Sequence, residues 1–166
     1  LLFSQVFPQA KNKVFTIFHE IEDFLLNTRD QKTLGVIIHE NRFTYQNKGL
    51  FKLADLGDYW EKQTGYPIPL GGIAVKKNIS AGIQSDIDKL IQQSIQHAFK
   101  NYPVLPPYVK QHSQEMEESV MRQHIDLYVN DYSINIGDDG KEAVNEFLNI
   151  YERNNPVSSI DRNVFI

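Results

Sequence analysis

Apolar and polar residues change period several times along this chain, and each change marks a predicted element. Val14, Phe15, Ile17 and Phe18 make residues 13–18 a β-branched and aromatic run, which predicts a strand. Over 19–27 the period lengthens: Ile21, Phe24 and Leu25 recur at helical spacing, with Glu20, Glu22 and Asp23 in a first turn where the helix dipole favours acids. A turn at 30–33 leads into a second strand at 34–38, Leu34 to Ile38. Strand, helix and strand within about 25 residues form a βαβ unit, which predicts a parallel pair with a right-handed crossover. Shorter strands are expected at 50–54 and 73–76, and 44–49 reads as a loop ending in a Gly turn.

Helical periods account for the rest. A short apolar helix over 1–6 stops before Pro8. Another carries Leu56, Tyr59 and Trp60, with Asp55 as its N-cap and Gly65 closing it. Trp60 reads as core rather than as a stacking platform. Ile87, Leu90, Ile91, Ile95 and Phe99 give a long amphipathic helix ended at Asn101-Tyr102-Pro103, and Pro106 and Pro107 suit the first turn of a short one. A helix opening at Ser113 carries Val120, Met121, His124, Leu127 and Tyr128; a last one carries Ala143, Val144, Phe147 and Leu148 after turns at 130–132 and 137–140. The fold class expected is therefore α/β. The organisation divides into an α/β lobe over 1–70 and, over 71–166, a strand followed by helices.

Composition narrows the function classes. With 166 residues and 41% hydrophobic content the chain can bury a core. A net charge of −4 and an absence of any Lys/Arg-dense face argue against nucleic acid as a partner. Zero cysteines remove thiolate catalysis and Cys-ligated metals. No apolar run approaches the roughly 20 residues of a membrane span, and no signal peptide is visible, so no membrane partner and a cytoplasmic location are expected. Asp138-Asp139 lacks the alternating ligands of a calcium loop. The opening Leu1-Leu2-Phe3 resembles the inside of an element, which suggests part of a longer protein.

The chemistry concentrates where the strand at 34–38 breaks into His39, Glu40, Asn41 and Arg42. The carboxyl edge of a parallel sheet is where α/β proteins place ligand chemistry. An imidazole takes a proton near neutral pH; Glu40 could orient it, and Arg42 could hold a substrate carboxylate or pair with Glu40 or Asp55. A zinc-type His-Glu-x-x-His pattern is not completed. Gly71 and Gly72, after the stiff Tyr66-Pro67-Ile68-Pro69 approach, serve either as a kink or as backbone that meets a ligand closely. His112 and His124 read as packing or surface residues rather than ligands.

Several strings together resemble a known family. His39-Glu40-Asn41-Arg42-Phe43-Thr44-Tyr45, Gly49-Leu50, Asp55-Leu56-Gly57 with Trp60-Glu61, Thr64-Gly65, Pro67-Ile68-Pro69-Leu70-Gly71-Gly72-Ile73 and Tyr128-Val129-Asn130 are similar, in order, to the 1,4-dihydroxy-6-naphthoate synthases of menaquinone biosynthesis by the futalosine route. The resemblance implies a type II periplasmic-binding-protein-like fold, here one lobe plus C-terminal helices returning to the other. It implies a cofactor-free lyase that converts cyclic dehypoxanthine futalosine to 1,4-dihydroxy-6-naphthoate, with His39 as the proton acceptor. The family's N-terminal lobe has no counterpart here, so residues 1–166 alone are expected to be inactive. Helices after Gly72 would then carry unpartnered apolar faces such as Ile87, Leu90, Ile91 and Ile95, and pairing into a homodimer or a rearranged packing is the expected way to cover them. A solute-binding protein of the same fold and a chorismate dehydratase-like enzyme are the competing readings.

Overall fold

Capping signals place the helices of the computed structural model, which describes residues 1–39, 41–113, 117–156 and 159–166. In chain order these are α1 (Leu2–Val6), a 3₁₀ turn (Phe18–Glu20) running into α2 (Ile21–Asn27), and α3 (Asn41–Thr44) running into a second 3₁₀ turn (Tyr45–Lys48). There follow α4 (Leu56–Thr64), α5 (Ala81–Asn101), α6 (Pro107–His112), α7 (Glu118–Tyr128), α8 (Asp131–Ile134) and α9 (Gly137–Asn154). Asp55 caps α4 by accepting from the backbone N–H groups of Gly57 and Asp58, and Gly65 ends it in the left-handed conformation. Pro107 occupies the first turn of α6, and α5 stops at Asn101 before Pro103.

Two expected turns are instead helical. Asn130 and Ser133 form a reciprocal capping box that starts α8, and Asp138 and Asp139 sit in the first turn of α9 with the dipole in their favour. The expected loop at 44–49 is a 3₁₀ turn closed by Gly49 at φ 79°. The expected opening of α7 at Ser113 falls partly on 114–116, outside the described residues; α7 begins at Glu118.

The expected α/β, periplasmic-binding-protein-like fold is not what forms. No strand occurs among the described residues. The segments 13–17, 34–38, 50–54 and 73–76 lack helical structure as foreseen, but they pair with nothing, so the βαβ unit and its parallel edge do not exist. The physical reason is that alternation and β-branching record fitness for a pleated, half-buried surface, and that surface needs a neighbouring strand to make it. Without one, Phe15 is 93% exposed, Phe51 94% and Ile73 78%. The same shortfall shows in total area: the chain exposes 12468 Å², against about 8,400 Å² for a compact monomer of its mass.

The core that does form is small and helical. Trp60 is its centre: it is 1% exposed, its indole N–H donates to the Pro67 carbonyl at 3.1 Å, and its ring lies 5.5 Å from that of Phe147 on α9. Among the described residues, Leu105, Val120, Met121 and Ala143 are the other buried apolar side chains. Elsewhere α1 packs on α4 and α5 on α8.

A buried carboxylate makes the other fixed point. Glu22, wholly buried on α2, accepts from the Asn41 amide at 2.5 Å and from the Lys48 ammonium at 2.6 Å, both through Oε2. This ties α2 to α3 and to the turn that follows it. The hydrogen bond to Glu22 holds Lys48 above the ordinary lysine range, with burial opposing it. A raised ammonium value means that the pair is intact at neutral pH and is lost only as pH rises through that raised value. Glu22→Ala should lower the urea midpoint by the equivalent of about 1–3 kcal/mol, and Glu22→Gln, which keeps an oxygen for Asn41, by less. Unchanged midpoints in both would contradict this role.

Candidate active site

The approach to His39 is set by a missing side chain. Residues 33–38 run along α2, and a Cβ at Gly35 would come within 2.7 Å of Leu25 Cδ1 and 2.8 Å of Ile21 Cγ2. A larger residue there would have to push these side chains aside. The path then moves from the Leu25 end of α2 toward Phe18, whose ring centroid is 4.7 Å from that of His39.

At His39 the backbone turns with φ 56°, a left-handed conformation that no other non-glycine residue with a described φ adopts. Such a conformation costs an L-residue roughly 1–2 kcal/mol and persists where the surroundings over-determine it. Here they do. The Arg42 N–H closes the turn onto the His39 carbonyl at 3.3 Å, the Asn41 amide is held by Glu22, and the Arg42 guanidinium reaches Asp55 at 3.4 Å.

Rings surround the imidazole. Besides Phe18, His124 on α7 lies 6.1 Å away, centroid to centroid, with the two imidazole planes 28° apart, and Tyr128 lies 4.6 Å beyond His124. His39, His124 and Tyr128 are all half-buried. An imidazole so placed is fixed in position yet reachable, which is what proton transfer to a bound molecule requires.

The remaining expected site residues are placed as follows. Glu40 lies outside the described residues. Asn41 turns inward to Glu22. Of the two uses open to Arg42, the geometry has the ion pair with Asp55, and the guanidinium also sits 5.6 Å from the Phe43 ring centroid. Gly71 and Gly72 stand in an extended connection with open space about both, and the ring cluster is built without them. Two shallow cavities, each about 370 Å³, are lined by 131–132 with 135–139 and by Asp23, Phe24, Asn27 and Thr28, not by His39. No group of His, Asp and Glu suited to a metal ion occurs among the described residues, and no described helix is long and apolar enough to cross a membrane.

Glu22, Phe18 and His124 are the site neighbours that sequence reading did not single out. The signal was present in the spacing. Phe18, Glu22 and Leu25 share one face across the 3₁₀ turn and α2, and Val120, His124 and Tyr128 share one on α7.

Comparison with known proteins bears on what this arrangement serves. A 1,4-dihydroxy-6-naphthoate synthase of Streptomyces coelicolor is 43% identical over 132 residues, 79% of this chain and 46% of that protein. One from Thermus thermophilus is 37% identical over 110 residues, 66% of this chain and 40% of that protein. The chain thus spans less than half the length of these curated relatives. The course of its backbone matches the crystal structure of an Archaeoglobus fulgidus protein at TM-score 0.76 and 26% identity, covering 86% of this chain and 53% of that one. The match to the family described as menaquinone biosynthesis extends over residues 1–153. It takes in α1 to α8, nearly all of α9 and every residue gathered around His39, so the chain belongs to the menaquinone biosynthesis family.

Proposed function

We propose that the full-length protein is a carbon–carbon lyase that converts cyclic dehypoxanthine futalosine to 1,4-dihydroxy-6-naphthoate, with His39 as its general base. The observation that carries this is the 43% identity, over most of the chain, to a protein named for that product. The site chemistry is consistent with it. His39 removes the proton of a substrate hydroxyl, and the resulting alkoxide closes to a carbonyl as the adjacent carbon–carbon bond breaks, its electron pair leaving on the departing carbon, which takes up the proton that His39 gives back. Asn41 and Arg42 contribute by holding the turn, through Glu22 and Asp55.

Residues 1–166 alone are expected to be inactive, so the assay belongs to the full-length protein. Incubated with cyclic dehypoxanthine futalosine it should release the naphthoate, and His39→Ala should lower kcat by about 10²- to 10⁴-fold. Failure to form the product would reject the reaction, and near-normal turnover in the variant would reject the base.

The same reading gives residues 1–166 a tendency to pair with a second copy, through apolar side chains such as Phe15, Phe51, Leu53 and Leu90 that stand exposed. Sedimentation should show a dimer that dissociates on dilution. A monomer at every concentration would contradict the pairing.

A further inference from the structure

We propose that residues 160–165 form a strap that latches the 67–77 connection to α9 and gives way as ionic strength rises. The family match ends at residue 153, so the strap lies outside it.

The path of the strap follows from its contacts. The Ile160 N–H donates to Glu152 Oε1 at 3.0 Å, and the Arg162 guanidinium pairs with the other oxygen, Oε2, and donates to the Asn145 carbonyl at 3.2 Å. Further on, the Phe165 ring centroid lies 6.0 Å from the Lys141 ammonium. Glu152, Asn145 and Lys141 descend α9 in that order, so the strap runs back along the helix. Their spacing puts them on one face, opposite the face of Ala143 and Phe147 that meets the core.

Asp161 stands between the two strap residues that Glu152 holds. Its Oδ1 accepts from the Asn163 N–H at 2.9 Å, and its Oδ2 accepts from the Lys77 ammonium at 2.5 Å. The Lys77 hydrogen bond, and after it the Asn163 N–H, hold the Asp161 carboxyl below its ordinary range, so it is an anion at neutral pH. An exposed ion pair is weak when both partners have to be ordered to make it. Here Glu152 has already ordered one of them, which is the physical case for a latch.

What the latch restrains is the chain from α4 to α5. Its near end is tied where the Pro67 carbonyl accepts from the Trp60 indole. Its far end is Lys77, in a turn closed by the Ile79 N–H donating to the Lys76 carbonyl at 3.1 Å, just ahead of α5. Among the described residues, none from 69 to 75 makes a hydrogen bond or an ion pair, and Gly71 and Gly72 have open space about them. Releasing Lys77 therefore frees the connection back toward Pro67.

Trypsin reads this directly, because it cleaves after a Lys or Arg whose side chain leaves its partners and enters the enzyme's acidic pocket. In the full-length protein, Arg162→Gln removes the grip on α9 without touching Lys77, and Asp161→Asn removes the pair itself. Each should speed cleavage after Lys76 and Lys77 by about 2- to 5-fold at low salt, the effect of losing an exposed pair that holds a local opening closed. The double variant should be no faster than the faster single one, since either break releases the latch. Cleavage after Lys89, in the middle of α5, should stay unchanged. An unaltered rate after Lys77 in Arg162→Gln, or an equal rise after Lys89, would overturn the proposal. Should a variant not fold, the unsubstituted protein decides: its rate after Lys77 relative to Lys89 should climb toward the variants' level in about 0.5 M salt. A ratio that does not respond to salt would overturn the latch.

Discussion

A carboxylate inside the protein, rather than a sheet, determines where the candidate chemistry stands. Glu22 is wholly buried, and its two charge-assisted or amide contacts reach forward in the chain to Asn41 and Lys48. Between its two partners lies the short helical stretch of α3 and its 3₁₀ turn, and just ahead of it lies His39. Fixing Asn41 fixes the direction from which the chain leaves His39, and Asp55 fixes Arg42 from the other side. The left-handed backbone at His39 is the consequence: the chain enters along α2, by way of Gly35, and must leave toward Glu22. The strain is small beside the contacts that enforce it. A surface ion pair of the usual worth, about 0–1 kcal/mol, would not hold it alone, but a buried anchor with ring packing on either side does.

This organisation explains how a reactive turn coexists with a chain so open elsewhere. The area left exposed beyond that of a compact monomer is carried by the unpaired extended segments and by apolar residues such as Val14, Phe15, Phe51 and Leu53. The His39 cluster borrows nothing from those segments except the approach over 33–38. Its partners sit on α2, α7 and the turns beside them. Lys48, whose ammonium form is stabilised by its hydrogen bond to Glu22, stays protonated through neutral pH.

The longer helices were legible, unlike the short α3 and α8, because their end signals are local. Asp55, Gly65 and Pro107 each act within a turn of where they stand, and the structure follows them. The strands were not legible, because a strand is a statement about a partner elsewhere. Val14, Phe15 and Ile17 have the right residue types and none of the neighbours. His39 stood out through its place at the end of an apolar run, and that feature survives although the sheet edge inferred from it does not form. Glu22 reads from sequence as one of three first-turn acids favoured by the helix dipole, because the composition of the turn speaks there and not its face. His124 reads from sequence as a packing or surface residue, and its ring contact with His39 joins segments 85 residues apart in sequence, a distance over which no local pattern speaks.

The most direct test of the enforced turn is the comparison of His39→Gly with His39→Ala by urea unfolding. Both lose the ring, so their difference isolates the backbone. In an ordinary extended or helical conformation Ala is the more stable by about 0.5–1 kcal/mol. At a held left-handed position the order reverses, and His39→Gly should be the more stable by about 1 kcal/mol. Ala equal to or above Gly would contradict the account.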